Sequence, residues 1–208
     1  MTVHDSQKEV TKTKVLFLRL IGSCSLSQQL KIREIRNQPD IRAAMYTEHE
    51  IGVNEHLDWV KNVTKEPKYL TFAVLNETQV SIGLWQFTEL DTLHKKSNFS
   101  WFFDKVERGG LGTAIEYRMI EYAFDVLKLE KINCEVLESM TYVVNLHKKF
   151  SFEEEGFRRQ NIEKNGKRIG VIMLGLTKPD WLSNKQEIFE KHRLIIEKFV
   201  INIGTNIP

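Results

Sequence analysis

The chain has 208 residues, enough for one domain with a proper hydrophobic core. Hydrophobic residues make up 41% and charged residues 28%, the balance of a globular protein rather than of a disordered or membrane-embedded one. The net charge of +2, with no basic stripe between the aromatics and no apolar run of membrane-spanning length, argues against nucleic acid and against a bilayer as partner. Residues 1–13 are polar and read as disordered. They hold no hydrophobic signal segment, which argues for a cytosolic protein. Cys24 and Cys134 are far apart in sequence and form no metal-like pattern, so no metal is expected and both thiols read as reduced.

Residues 15–20 form a compact apolar run ended by Gly22 and read as a strand. Ser25 or Ser27 caps a helix carrying Leu30, Ile32 and Ile35, and Asn37-Gln38-Pro39-Asp40 breaks the chain. A second helix fits residues 54–64. Residues 69–75 and 80–87 flank a polar turn as an antiparallel hairpin, and residues 98–103 are a further strand. Gly109-Gly110-Leu111-Gly112 then opens the longest helical pattern, with Leu111, Ile115, Met119, Tyr122, Ala123 and Val126 on its apolar stripe. Glu116, Glu121, Asp125 and Lys128 lie mostly off that stripe. Residues 131–137 read as a strand and 141–150 as a shorter helix. Residues 152–159 and 169–176 form a strand pair around Asn165-Gly166, a strong hairpin-turn signal. Pro179 ends the domain, and residues 184–201 make a last helix with Ile188, Leu194, Ile195 and Phe199 as its apolar set. The order predicts an α/β (α+β mixed sheet) domain over 14–178 with helices on both faces, and a C-terminal helical extension over 179–208 that packs back on it.

The glycines of Arg108-Gly109-Gly110-Leu111-Gly112-Thr113 let backbone approach a ligand. The helix start behind them offers free N–H groups to a phosphate. No Gly-Lys-Ser/Thr follows, and no leading β-α-β unit precedes, so neither a Walker loop nor a dinucleotide fingerprint is present. In the strand Ile132-Asn133-Cys134-Glu135-Val136-Leu137, alternation puts Glu135 with Asn133 and Leu137 on one face and Cys134 on the other. Glu135 is the candidate proton acceptor, acting directly or through water.

The strand and helix order around this loop resembles the Gcn5-related N-acetyltransferase (GNAT) superfamily. The resemblance implies a mostly antiparallel sheet splayed at an acetyl-coenzyme A (acetyl-CoA) site. It implies a pyrophosphate bound by Arg108, Gly109, Gly110, Leu111, Gly112 and Thr113, and a pantetheine arm along Phe99, Trp101 and Phe102. The first loop position, usually Arg or Gln, is Glu107 here. Arg36-Asn37-Gln38-Pro39-Asp40-Ile41, then Met45-Tyr46, then Glu55-His56-Leu57 resemble the UDP-amino-sugar acetyltransferases of pseudaminic acid synthesis. The similarity runs from about Val15 to Leu176. It implies that Arg36 and His56 bind the nucleotide-sugar diphosphate or ring, that Met45 and Tyr46 line the pocket, and that Thr88 sits on its wall. It also places a catalytic glutamate at Glu135. Where the superfamily has a tyrosine acid, this chain has His147, with Tyr142 as an alternative donor, and Met140 stands where an asparagine is usual. A protonated His147 can donate to the leaving thiolate. Lys148 or Lys149 either meets coenzyme phosphates or ends the helix in solvent.

The expected reaction is N-acetylation of the 4-amino group of a UDP-linked 4-amino-4,6-dideoxy sugar by a monomer or homodimer. Two other readings use the same scaffold: acetylation of protein N-termini or another amine, and a non-enzymatic acetyl-CoA-binding scaffold. The bulk of Met45, Tyr46 and Trp85 fits a closed sugar pocket better than an open peptide groove.

Overall fold

A computed structural model describes residues 13–107 and 109–204. The segment 1–12, most of the stretch read as disordered, and Arg108 of the glycine-rich loop lie outside the described residues. The described strands are β1 (Lys14–Leu20), β2 (Leu70–Leu75), β3 (Ser81–Asp91), β4 (Lys96–Phe103), β5 (Lys131–Leu137), β6 (Glu153–Lys164), β7 (Lys167–Thr177) and β8 (Phe199–Ile203). The helices are α1 (Leu26–Arg36), α2 (Pro39–Ala44), α3 (Val53–Lys65), α4 (Leu111–Glu121), α5 (Thr141–Lys148) and α6 (Lys178–Ile196).

Local chemistry sets the boundaries. Ser25 caps α1 in a reciprocal box with Gln28. Asn165 and Gly166 both take positive φ, 51° and 70°, the backbone a tight hairpin between β6 and β7 needs. The described strands form one eight-stranded sheet in the order β6-β7-β5-β4-β3-β2-β1-β8. The β4–β5 and β1–β8 pairs are parallel and the others antiparallel. Apolar side chains of α4, α5 and α6 pack on one sheet face, with Ile115, Val144 and Trp181 buried there. Ile32 of α1 and Val60 and Val63 of α3 pack on the other.

The parallel β4–β5 pair positions the site. Its register runs only from Lys96↔Lys131 to Asn98↔Asn133, and beyond that point the two strands part. Residues 99–103 therefore have β3 on one side and no strand partner on the other.

Four expectations from the sequence are corrected. Asn37 ends α1, but Pro39 begins a new short helix, because proline fits the first helical turn where its missing N–H costs nothing. Pro179 likewise opens α6 rather than closing the fold, with Thr177 as its N-cap. The last helix stops at Ile196, and Phe199 lies in β8, which pairs with β1 and adds a strand to the sheet. Glu116, read as off the apolar stripe, is fully buried all the same because α4 is covered on most of its sides.

Candidate active site

Two cavities meet at the parting strands. The larger, about 520 Å³, lies between α1, α3 and the loop after α2 on one side and β3 and β4 on the other. Arg36, Met45, Tyr46, His56, Thr88 and Glu135 all line it, so the substrate residues read from the sequence come together around one space. The smaller, about 270 Å³, lies in the opening between β4 and β5, with Phe99, Trp101, Phe102, Cys134 and His147 in its wall. Met45, Phe99, Ser100, Phe102 and Glu135 border both, which places Glu135 at the junction.

The Arg-Asn-x-Pro segment builds the first wall. Asn37, the C-cap of α1, bonds Ile51 in both directions, donating to its carbonyl (3.0 Å) and accepting from its N–H (2.9 Å). Arg33 donates to the same carbonyl at 2.7 Å. Gln38 accepts from the Lys105 N–H and donates to Asp104, tying the α1–α2 junction to the end of β4. On the far side, Lys164 at the end of β6 donates to the carbonyls of Arg42 (2.5 Å), Ala43 (2.9 Å) and Met45 (2.5 Å). Those carbonyls belong to the last turn and exit of α2, where a cation is favoured. The β6–β7 hairpin thus holds the loop that carries Met45 and Tyr46. Nothing in sequence spacing links residue 164 to residue 45; only the folded sheet does.

Three polar atoms of residues that line the larger cavity have no protein partner. Nη1 of Arg36, Nε2 of His56 and Oε1 of Gln86 are buried and unpaired. Burial, then repulsion from Arg42, pulls the Arg36 pKa down from its usual value. Burial also lowers the pKa of His56, whose ring bonds the Gln29 backbone, so the ring is neutral near pH 7 and its free Nε2 is an acceptor. Buried polar atoms normally find partners, so these three stand out among the residues of the cavity wall.

Both oxygens of Glu135 are engaged. Tyr46 Oη donates to Oε2 at 2.5 Å and Arg158 Nη1 donates to Oε1 at 2.6 Å. Burial, together with the hydrogen bond to Glu135, raises the Tyr46 pKa, so its hydroxyl stays a donor. Arg158 gave no signal in the sequence. It reaches Glu135 because β6 pairs with β7, and β7 with β5.

In the smaller cavity His147 is buried, and its Nδ1 lies 2.5 Å from Oε1 of Glu116. Oε2 of Glu116 accepts from Trp101 Nε1 at 3.0 Å. Phe99 and Phe152 flank the imidazole. Met140 and Tyr142 line the same cavity, with Tyr142 largely exposed. Lys148 is turned to Glu154, at 2.6 Å.

The glycine-rich loop enters α4 through Gly109 (φ 88°) and Gly110 (φ 95°), conformations that favour glycine. A Cβ on Gly110 would sit 2.4 Å from Ile195 of α6, and one on Gly112 would sit 3.1 Å from the Trp101 ring. Ala114 makes the first α-helical bond back to Gly110, so by helix geometry the N–H groups of Leu111, Gly112 and Thr113 have no partner within the helix.

Trp85 does not line the larger cavity. It points to the opposite sheet face, against Phe72, Phe87 and Tyr122, while Leu84, Gln86 and Thr88 face the cavity. Period-two alternation along β3 fixes that choice. Among the described residues, no group of three or more His, Cys, Asp or Glu is placed to hold a metal ion. No described helix is long and apolar enough to cross a membrane.

Residues 27–153, more than half of the chain, match the family described as acetyltransferase (GNAT) domain. The chain belongs to the GNAT acetyltransferase family. It is an acetyl-CoA-dependent N-acetyltransferase. Acetyltransferase PseH of Campylobacter jejuni is 28% identical over 127 residues, 61% of this chain and 78% of that protein. Spermidine N(1)-acetyltransferase of Vibrio cholerae is 24% identical over 116 residues, 55% of this chain and 67% of that protein. The crystal structure of the Vibrio cholerae spermidine N-acetyltransferase in complex with CoA and spermine shares the fold, with a TM-score of 0.70 at 22% identity. The match covers 80% of this chain and 98% of that one.

Proposed function

We propose that this GNAT acetyltransferase acts on a nucleotide-linked amino sugar, transferring acetyl to the 4-amino group of a UDP-linked 4-amino-4,6-dideoxy sugar. One observation carries the reading. Arg36, Met45, Tyr46, His56, Thr88 and Glu135 line a single cavity that opens onto the coenzyme slot. The resemblance of the Arg-Asn-x-Pro and His-Leu segments to UDP-amino-sugar acetyltransferases supports the acceptor class.

Bound acetyl-CoA supplies an activated thioester carbonyl. The amides of Gly109 to Thr113 take its pyrophosphate, and the unpaired edge of residues 99–103 takes its pantetheine arm as an added strand. Arg36 offers a charged donor to the diphosphate. Neutral His56 offers an acceptor, which suits a sugar hydroxyl rather than a phosphate. Met45 gives an apolar wall for the deoxy carbon, and Thr88 and Gln86 give hydroxyl and amide contacts. Glu135, at the junction, accepts the amine proton as the nitrogen attacks.

A polyamine acceptor fits this cavity less well. Its ammonium groups would meet the buried, unpaired guanidinium of Arg36 in a low-dielectric space. Calorimetry on the Glu135→Gln protein tests the acceptor. It should bind a UDP-4-amino-4,6-dideoxy sugar, and adding Arg36→Met should weaken binding by roughly 10–100-fold through loss of charge-assisted hydrogen bonds. Binding of spermidine in place of the nucleotide sugar would overturn the assignment.

A further inference from the structure

Among the described residues, the Glu116–His147 pair is a buried charge cluster that the acceptor chemistry does not use. Both side chains are almost wholly removed from water, at 0% and 6% exposure. Each carboxylate oxygen of Glu116 has its own partner. The indole N–H of Trp101 can only donate, so Oε2 is an acceptor. Oε1 faces Nδ1 of His147 at 2.5 Å. A carboxylate that accepts from both has a partner on each oxygen, and a carboxylate shut away from water is stabilised by a cation beside it. With Nδ1 committed to Glu116, Nε2 is the remaining ring nitrogen, and Cys134 also hydrogen-bonds the ring.

The surroundings hold no competing charge on the ring. From β4 comes the Phe99 ring and from the start of β6 the Phe152 ring. From β5 comes the Cys134 thiol, which burial keeps protonated despite the nearby imidazole. On its own helix, Lys148 is turned away to Glu154. Burial disfavours a charged imidazole, but Glu116 and then Cys134, each by its charge and its hydrogen bond to the ring, outweigh it and lift the His147 pKa above the ordinary histidine range.

We infer that Glu116 is a positioning residue that holds His147 as a standing imidazolium beside the departing sulfur, so that His147 stabilises the thiolate by charge rather than by giving up its proton. The inference rests on acetyl transfer at this slot but not on the identity of the acceptor. In the step, the acceptor nitrogen bonds to the thioester carbonyl carbon. The C–S bond breaks with its electron pair going to sulfur, and the amine proton goes to Glu135. His147 keeps both ring protons, and the thiolate takes its proton from water after release. Trp101 links this device to coenzyme seating, since its indole fixes Glu116 while its backbone lies on the open strand edge.

The test reads the imidazole directly and needs no acceptor. Nitrogen-15 NMR of histidine-labelled full-length protein, with the signal assigned by His147→Asn, should show His147 doubly protonated from about pH 6 to about pH 9, where a free histidine near pKa ~6.5 has lost its charge. In Glu116→Gln the same signal should turn neutral above about pH 6.5. With any amine the enzyme accepts, wild-type kcat should stay flat where Glu116→Gln falls on the order of 10–100-fold between about pH 6 and about pH 8, with KM for acetyl-CoA within about threefold. A neutral His147 in the wild type, or a Glu116→Gln profile as flat as the parent's, overturns the inference. If Glu116→Gln fails to fold, the wild-type signal alone decides. A charged His147 in an enzyme that rejects every nucleotide sugar overturns the acceptor assignment and leaves this one standing.

Discussion

Replacing Glu135 with glutamine separates proton acceptance from everything else this side chain does. The amide is nearly isosteric, so the hydrogen bond from Tyr46 can persist through its oxygen. The other end of the amide then faces Arg158, whose ion pair is lost. That pair is partly exposed, with side chains 47% and 32% accessible, so its loss costs at most about 1 kcal/mol of stability. The melting temperature should therefore shift by no more than about 4 °C. The chemical step loses far more. A positioned general base contributes roughly 10²–10⁴-fold, equivalent to about 3–5 kcal/mol of barrier. The assay is thiol release at saturating acetyl-CoA and acceptor, run beside a thermal melt. A kcat within about fivefold of wild type in a protein that melts normally would refute the role of Glu135 as base.

Arg36→Met should raise the acceptor KM by about 10–100-fold and leave kcat within about threefold, because a buried donor to the ground-state diphosphate is lost; initial-rate kinetics separate the two. Gly110→Ala should raise KM for acetyl-CoA by about tenfold with little change for the acceptor. The methyl group forces a left-handed residue and meets Ile195, displacing the amides at the start of α4. Lys164→Met should raise the acceptor KM about 3–10-fold and lower the melting temperature, since three carbonyls of the α2 exit lose their cation; a melt and a KM measurement on one sample check both. The His147–Glu116 pair also predicts a direction for stability against pH. Its raised histidine pKa contributes stability that is fully present below the unfolded value near ~6.5 and is lost as pH climbs through the raised folded value. Denaturant melts of wild type and His147→Asn should thus differ most below about pH 6.5 and converge in the alkaline range.

Local signals carried much of this fold. The Asn165-Gly166 turn, the Ser25 cap and the glycine entry to α4 are local, and each acts within a few residues of where it is read. The grouping of residues around the larger cavity was legible for a different reason. Arg36, Asn37, Pro39, Met45, Tyr46 and His56 lie within one segment, so their spacing in sequence survives as neighbourhood in space. Arg158 and Lys164 were not legible. They reach Glu135 and the α2 exit through β6–β7 and β7–β5 pairing, which no local pattern encodes. Glu116 carried a readable clue. It sits between Ile115 and Tyr117 in a helix apolar on most sides, where a lone carboxylate has no route to water and must find a buried partner. Trp85 misled because size was weighed before alternation. Phe199 misled because a short strand after a helix prolongs the same apolar spacing that the helix had set.

The most direct measurement of the central claim is the acceptor preference itself. Thiol release from acetyl-CoA should be followed with UDP-4-amino-4,6-dideoxy sugars, spermidine and N-terminal peptides under one set of conditions. A kcat/KM for a nucleotide sugar at least about 10²-fold above the others, and lost in Glu135→Gln, is the predicted result. Higher turnover of spermidine or of peptides than of every nucleotide sugar would contradict it.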